Sequence, residues 1–241
     1  MNNVIANNEN SAEGKKEVAN GRIRARKPPR TRHVLPSRHF RSLASRLMAL
    51  REIGTHKTIG IASCGPNEGN STVASNLAVA ISHAIEGEVL LIDCVEPVKR
   101  TPGPGWFDIV FGNADLIDVL RDTETPRLST MSAGIVLQPG EGTYNRDRLM
   151  NLCQMLKERF EFIIFDLPCA DDMTGCFPIA RVLDGVILNI KSGKINSGRA
   201  IQLRNEFQMQ GANVLGVVLN QTQSYVPSFL RVLLRSKDSQ S

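Results

Sequence analysis

Three short stretches of the chain carry residues whose chemistry has a direction. The first is GPNEGNST, residues 65–72, within HKTIGIASCGPNEGNSTVASNLAVAI. An apolar run ends in a glycine-containing turn, and a helix-like pattern follows. That arrangement makes a phosphate-binding loop, in which backbone N–H groups and a helix N-terminus face an anion. In such a loop a Lys adds charge between the β- and γ-phosphates and a Ser/Thr hydroxyl holds Mg²⁺. Here Pro66, Asn67, Glu68, Gly69, Asn70, Ser71 and Thr72 form the candidate cradle for ATP or ADP, with Ser71 as the Mg²⁺ ligand. The Lys position holds Asn70, which can donate a hydrogen bond but carries no cation.

The second stretch, LLIDCVEPVKRTP, ends an apolar run on Asp93. The third, FIIFDLPCADD, ends one on Asp166, with Pro168 as a breaker. A strand-end carboxylate beside a phosphate loop orients Mg²⁺ or its bound water. Asp93 and Asp166 are therefore the candidate catalytic and Mg²⁺-holding residues. Read singly, each stretch is also what a tight turn or a turn-capping Asp produces. The three in this order fit one site.

The elements that must position them alternate. Residues 37–52 place Phe40, Leu43, Leu47 and Leu50 on one helical face, with Ser37 as N-cap. Strands are predicted at 58–63, 88–93, 134–138, 160–166, 185–191 and 213–220. Helices are predicted at 70–85, near 114–122, at 145–160, over 179–184 and at 197–211. The strands are near-continuous Val/Ile/Leu runs, the pattern of a parallel sheet covered on both faces. Strand–helix alternation gives a doubly wound α/β fold, whose sites lie outside the carboxyl ends of the strands. All three stretches fall there. The expected division is a disordered basic arm over 1–36, one domain over 37–222, and a short flexible tail over 223–241.

Charge separates the arm from the body. Of 241 residues, the segment 15–41 holds ten Lys/Arg against Glu17 alone, a charge of +9 within a total of +5. Few large apolar residues and strong self-repulsion argue for disorder there. The arm reads as a solubilising tail, as a contact for anionic lipid headgroups or an acidic partner, or as a nucleic-acid contact. The absence of interleaved aromatics argues against the last. No apolar run reaches the ~18 residues a membrane span needs, and the first residues lack a signal-peptide core. The five cysteines form no CxxC pair, so reduced thiols and a cytoplasmic location are expected, with peripheral attachment at the inner membrane face open.

The residues quoted above carry a family resemblance. Over roughly residues 37–222 the chain resembles the cytoplasmic ATPase domain of bacterial tyrosine kinases, the capsule and exopolysaccharide chain-length regulators within the MinD/ParA-like group of P-loop ATPases. SCGPNEGNSTVASNLA is similar to the family loop S-x-x-P-G-x-G-K-S-T, LLIDCVEPVKRTP to its L-I-D-x-D strand end, and IIFDLPC to its I-I-D-x-P-P strand end. The stretch LDGVILNIKSGKINSGRAIQLRNEFQMQGANVLGVVLNQT is similar to the last two family strands and the helix between them. The departures fall on chemistry. Asn70 replaces the loop Lys, Asn67 a Gly, Val95 the second Asp, and Cys169 the second Pro. The self-assembly motif E-x-x-R-x-x-R reads Arg38, Arg41, Ala44. The only tyrosines are Tyr144 and Tyr225, where active members carry a Tyr-rich tail.

The resemblance with these departures implies a pseudokinase or pseudo-ATPase. Such a protein acts as a regulatory or scaffold partner on the cytoplasmic tail of a membrane polysaccharide co-polymerase, with nucleotide and Mg²⁺ weakened. An active autokinase with a Lys supplied from elsewhere, such as Lys99, is the alternative. A ParA-like positioning ATPase fits less well, because the late strands and the loop differ. Homo-oligomerisation stays open. Cys64, Cys94 and Cys169 each follow a predicted strand. They read as small residues where the family uses small residues or Pro, or else as a thiol or metal cluster.

Overall fold

The computed structural model describes residues 36–54, 56–95, 103–112, 114–134, 145–171, 173–193 and 197–221. The expected arm over 1–36, all but Pro36, and the expected tail over 223–241 lie outside the described residues, as do Glu96, Lys99, Tyr144 and Tyr225.

The chain opens with α1 (Arg38–Ile53), then β1 (Thr58–Ser63) and α2 (Asn70–Ser82), then β2 (Val89–Asp93). There follow α3 (Trp106–Phe111), α4 (Leu116–Val119), β3 (Leu120–Asp122) and β4 (Leu128–Met131). The second half alternates regularly through α5 (Arg146–Arg159), β5 (Phe162–Asp166), α6 (Met173–Ala180), β6 (Gly185–Lys191), α7 (Ser197–Met209) and β7 (Val214–Asn220). The strands form one sheet in the order β3-β4-β2-β5-β1-β6-β7. All pairings are parallel except β3 with β4. This is the doubly wound P-loop architecture expected.

Strand alternation divides the core between two faces. Ile59, Ile61, Val89, Phe162 and Ile164 meet Leu47 of α1 and Val73, Leu77 and Ile81 of α2 on one face. Leu90, Ile92, Ile163, Phe165 and Leu188 meet Trp106, Leu149, Leu156, Phe177, Leu203 and Phe207 on the other. Trp106 stands edge-on to Phe165 with ring centroids 5.4 Å apart, a favoured aromatic geometry.

Several expectations need correction. Leu50 is 38% exposed, and Ala44 takes its place beside Leu47 on the buried stripe of α1. Ser37 is the N-cap residue, but its side chain makes no capping bond. β4, α3 and β3 were not anticipated, and the residues expected as helix near 120–122 are an antiparallel edge strand. Gly134 is not in a strand, and the rest of the strand expected at 134–138 lies outside the described residues. The helix expected at 179–184 is instead α6, ending at Ala180 and followed by turns. β7 is an edge strand with Val217 and Leu219 exposed, so its apolar run is not doubly covered.

Candidate functional site

The loop between β1 and α2 lies at the carboxyl end of the central strands. Its backbone is built for close approach. Gly69 adopts φ +82°, and a Cβ there would meet Asn220 Nδ2 at 2.7 Å. Asn67 keeps a left-handed conformation at φ 61°. Asn tolerates that region far better than most residues, so it suits the turn. Asn189 Nδ2 and Asn220 Nδ2 both donate to the Glu68 carbonyl, at 3.2 and 3.1 Å. The ends of β6 and β7 thus hold the loop from the side. No side chain caps α2, and its first turn has no acid, so its leading N–H groups stay open to an anion. Ser71 and Thr72 are exposed at that end.

Asn70 does not point into this cradle. Its Nδ2 donates to the Ile61 carbonyl at 2.7 Å, to Asp166 Oδ1 at 2.9 Å and to the Leu167 carbonyl at 3.0 Å. All three neighbours are acceptors, which fixes which end of the amide faces them. Asn70 therefore ties the start of α2 to the ends of β1 and β5. Its two amide hydrogens are shared among three acceptors, leaving none to offer a phosphate.

Asp93 and Asp166 come together as the sequence predicted, side by side in the β2–β5 register. Asp166 is buried, and its carboxyl is pushed up to about 6. Burial is the main cause. The Ser71 hydroxyl opposes it, the charge of Asp93 adds to it, and the Asn70 amide opposes it. Asp93 is more open to solvent than Asp166, yet partial burial raises its carboxyl too, opposed by a 3.0 Å bond from the Val95 N–H. Val95 itself is exposed and brings no ligand atom from its side chain.

Cys64 and Cys94 are buried free thiols, and Cys169 is half-buried. Cys94 is buried, and its thiol is pushed well up, first by burial and then by Asp93, Asp166, Cys153 and Cys176. Cys64 lies against Arg199 of α7; burial raises its thiol and the guanidinium pulls it back. Arg199 also meets Glu206 Oε1 at 2.9 Å and Asp171 Oδ1 at 3.6 Å. Among the described residues, no group of three or more His, Cys, Asp or Glu is placed to hold a metal ion.

Sequence reasoning missed Asn189, Asn220 and Arg199. For the two asparagines a signal existed, since each is a polar residue in or ending an otherwise apolar strand. Arg199 gave none, being one cation on a polar helix.

The site fits the shape of a bound nucleotide better than its charge. The turn, the open helix end and Ser71 suit a phosphate. Yet residues 63–72 contain no Lys, Arg or His, while the paired carboxylates Asp93 and Asp166 sit at its edge. One of them is shared between Ser71 and Asn70. The loop itself supplies no cation to a triphosphate, so no catalytic step is assigned through it.

No family model matches the chain. It is 26% identical over 182 residues to the tyrosine-protein kinase CpsD of Streptococcus agalactiae, covering 72% of this chain and 78% of that one. The chain is a relative of the bacterial tyrosine kinases. This kinase relative also superposes on the chimerical protein CapA2B2 with a TM-score of 0.67 at 25% identity, covering 77% of this chain and 84% of that one. The succinoglycan biosynthesis transport protein ExoP of Rhizobium meliloti is 23% identical over 176 residues, 69% of this chain but 22% of ExoP. The cell-division protein MinD of Aquifex aeolicus shares the fold alone, with a TM-score of 0.55 at 15% identity over 75% of this chain and 73% of MinD.

Proposed function

We propose that this tyrosine-kinase relative is a pseudokinase: a regulatory or scaffold partner in exopolysaccharide or capsule assembly that docks on the cytoplasmic tail of a membrane co-polymerase. The observation that carries the reading is the Asn70 amide, spent on Ile61, Asp166 and Leu167. A phosphate contact from a charged donor is worth roughly 1.5–3 kcal/mol, and more where it meets charge developing in a transition state. Losing that contact and the second carboxylate, at Val95, removes turnover before it removes binding, because the backbone cradle remains.

Calorimetry of ATP and ADP, with and without Mg²⁺, tests this on the native chain and on Asn70→Lys. The expected result is weak or absent binding by the native chain and at least about tenfold tighter binding by the variant. Micromolar, Mg²⁺-dependent binding with autophosphorylation by the native chain overturns the reading. The partner assignment rests on kinship with ExoP and the tyrosine kinases, and pull-down of the co-polymerase tail tests it separately.

A further inference from the structure

β3 and β7 are the edge strands of the sheet, and they differ in how they meet solvent. β3 is three residues long and carries Arg121 and Asp122. Short length and charge keep an edge strand from pairing with another chain. β7 is the seven-residue run VLGVVLN, with no charge and no proline. None of its residues is buried, whereas in β6 beside it all but Lys191 are. Val217 and Leu219 are 53% and 58% exposed. They lie level with Leu188 and Ile190 of β6, which are buried. Leu188 shares a cluster with Leu203 and Phe207 of α7. The apolar surface on that face thus runs past the cover of α7 and out along β7.

The backbone is open at the same place. The Ser192 N–H donates to the Asn220 carbonyl, so Asn220 faces β6. Alternation along a parallel ladder then turns the N–H and C=O of Leu219 and Val217 to the outer edge. Among the described residues, no strand meets that edge.

We propose that β7 is a self-association edge, at which two copies of this chain pair antiparallel about a two-fold axis through Val218. This register sets Val217 of each copy opposite Leu219 of the other. Both residues turn their hydrogen-bonding groups to the shared edge, and both bring an exposed apolar side chain to the same face. Each copy then covers the two side chains that α7 leaves open in the other. The edge is its own complement in length, hydrogen-bonding parity and apolar positions, which favours a second copy over a foreign strand. With no charge on β7, pairing it with itself sets no like charges opposite one another. A two-fold contact also closes, consuming both exposed edges at once. The contact is one strand wide, smaller than a standard interface of about 1,600 Å², so the dimer is weak and concentration-dependent. Nucleotide plays no part, so the result is independent of the proposed pseudokinase status.

The test is sedimentation of the full-length chain from about 1 µM to about 200 µM, a range that brackets a weak dimer. The mass is expected to rise from one chain toward two. Val217→Lys and Leu219→Glu, made singly, each put a charge on the shared edge and should weaken association at least about tenfold. Both positions are exposed, so the thermal melts should stay unchanged, as a check on folding. Mixed in equal amounts, the two variants set Lys opposite Glu and should pair with each other more tightly than either does with itself, a recovery that a folding defect would not give. Hydrogen exchange at the Val217 and Leu219 amides should slow as concentration rises. A single chain throughout the range overturns the proposal, and no gain on mixing overturns the register. A dimer that both variants leave intact also overturns it. So does slow exchange at those amides that is independent of concentration, because the chain then covers its own edge.

Discussion

The two ends of the sheet treat a strand-end carboxylate in opposite ways. At the amino end, just before β6, Asp184 accepts from the Lys57 N–H, the Thr58 N–H and the Thr58 hydroxyl at 2.8, 2.8 and 2.9 Å, and from Lys157 Nζ at 2.5 Å. Its backbone is engaged as well, donating to Thr58 Oγ1 and accepting from Asn213 Nδ2. Burial opposes ionisation there, yet these donors hold the carboxyl below its ordinary value. At the carboxyl end, Asp166 has Ser71 and Asn70 for donors and Asp93 beside it, and is pushed up to about 6. One end spends its donors on locking β1, β6 and α5 together. The other keeps two carboxylates side by side, the kind of perturbed pair that clusters at functional sites.

The largest expected effect breaks the amino end. Asp184→Ala removes the acceptor of four donors and leaves Lys157 and two backbone N–H groups without it. Loss of a partly buried, multiply bonded carboxylate costs about 3 kcal/mol. In a domain of this size that lowers Tm by roughly 6–12 °C, read by calorimetric melting. A loss under about 1 kcal/mol would show that the cluster is decorative.

Asn70→Ala comes next. It strips donors from the Ile61 and Leu167 carbonyls and from Asp166, for an expected loss of about 2 kcal/mol by urea unfolding. An unchanged midpoint would mean that water replaces the amide at no cost, and that the side chain does not knit the loop to the strands.

Asp166→Asn should move the other way. A carboxyl raised from about 3.9 unfolded to about 6 folded binds more protons in the native state. Its ionisation therefore costs stability as pH rises from about 4 to about 6, and the full cost remains above that. Asp184, with a lowered value, contributes fully above about 4 and is lost only as pH falls below it. Asp166→Asn is thus expected to stabilise by about 1–2 kcal/mol at pH 7 and above, with the gain vanishing toward pH 4. A pH-independent effect would defeat the assignment of the raised value to Asp166.

The carboxyl end was the more legible in the sequence. β1, β2, β5 and β6 show as apolar runs because strands covered on both faces have little room for polar residues. Asp93 and Asp166 stand out as the charges that end two of those runs. The loop shows through its glycines and its hydroxyls. What stayed hidden depends on contacts made at long range. Asn70 was recognisable as a missing cation, but its attachment to Asp166 spans 96 residues. Asp184 read as the end of a short helix, and nothing nearby indicates the Thr58 and Lys157 that hold it. β3 and β4 were hidden for another reason: LRD is a three-residue edge strand with two charged residues, and LSTM beside it is four residues with two polar ones. Strand pairing overrides weak local preference in such segments.

The smallest effect separates charge from burial at the amino end. Arg51 pairs with Glu161 there, joining the last turn of α1 to the segment before β5. Both side chains are 30% exposed, against 18% for Asp184 in its pair with Lys157. Solvent screens the first pair, and ordering two long side chains offsets part of its attraction. Arg51→Ala should therefore cost only about 0.5 kcal/mol, and less in high salt. The Asp184 effect should persist in the same salt, because most of its donors are backbone or hydroxyl groups fixed by the fold. If Arg51→Ala instead costs as much as Asp184→Ala, stability at this end comes from ion pairing as such. The contrast with Asp166 would then rest on missing cations, not on how many fixed donors each carboxylate receives.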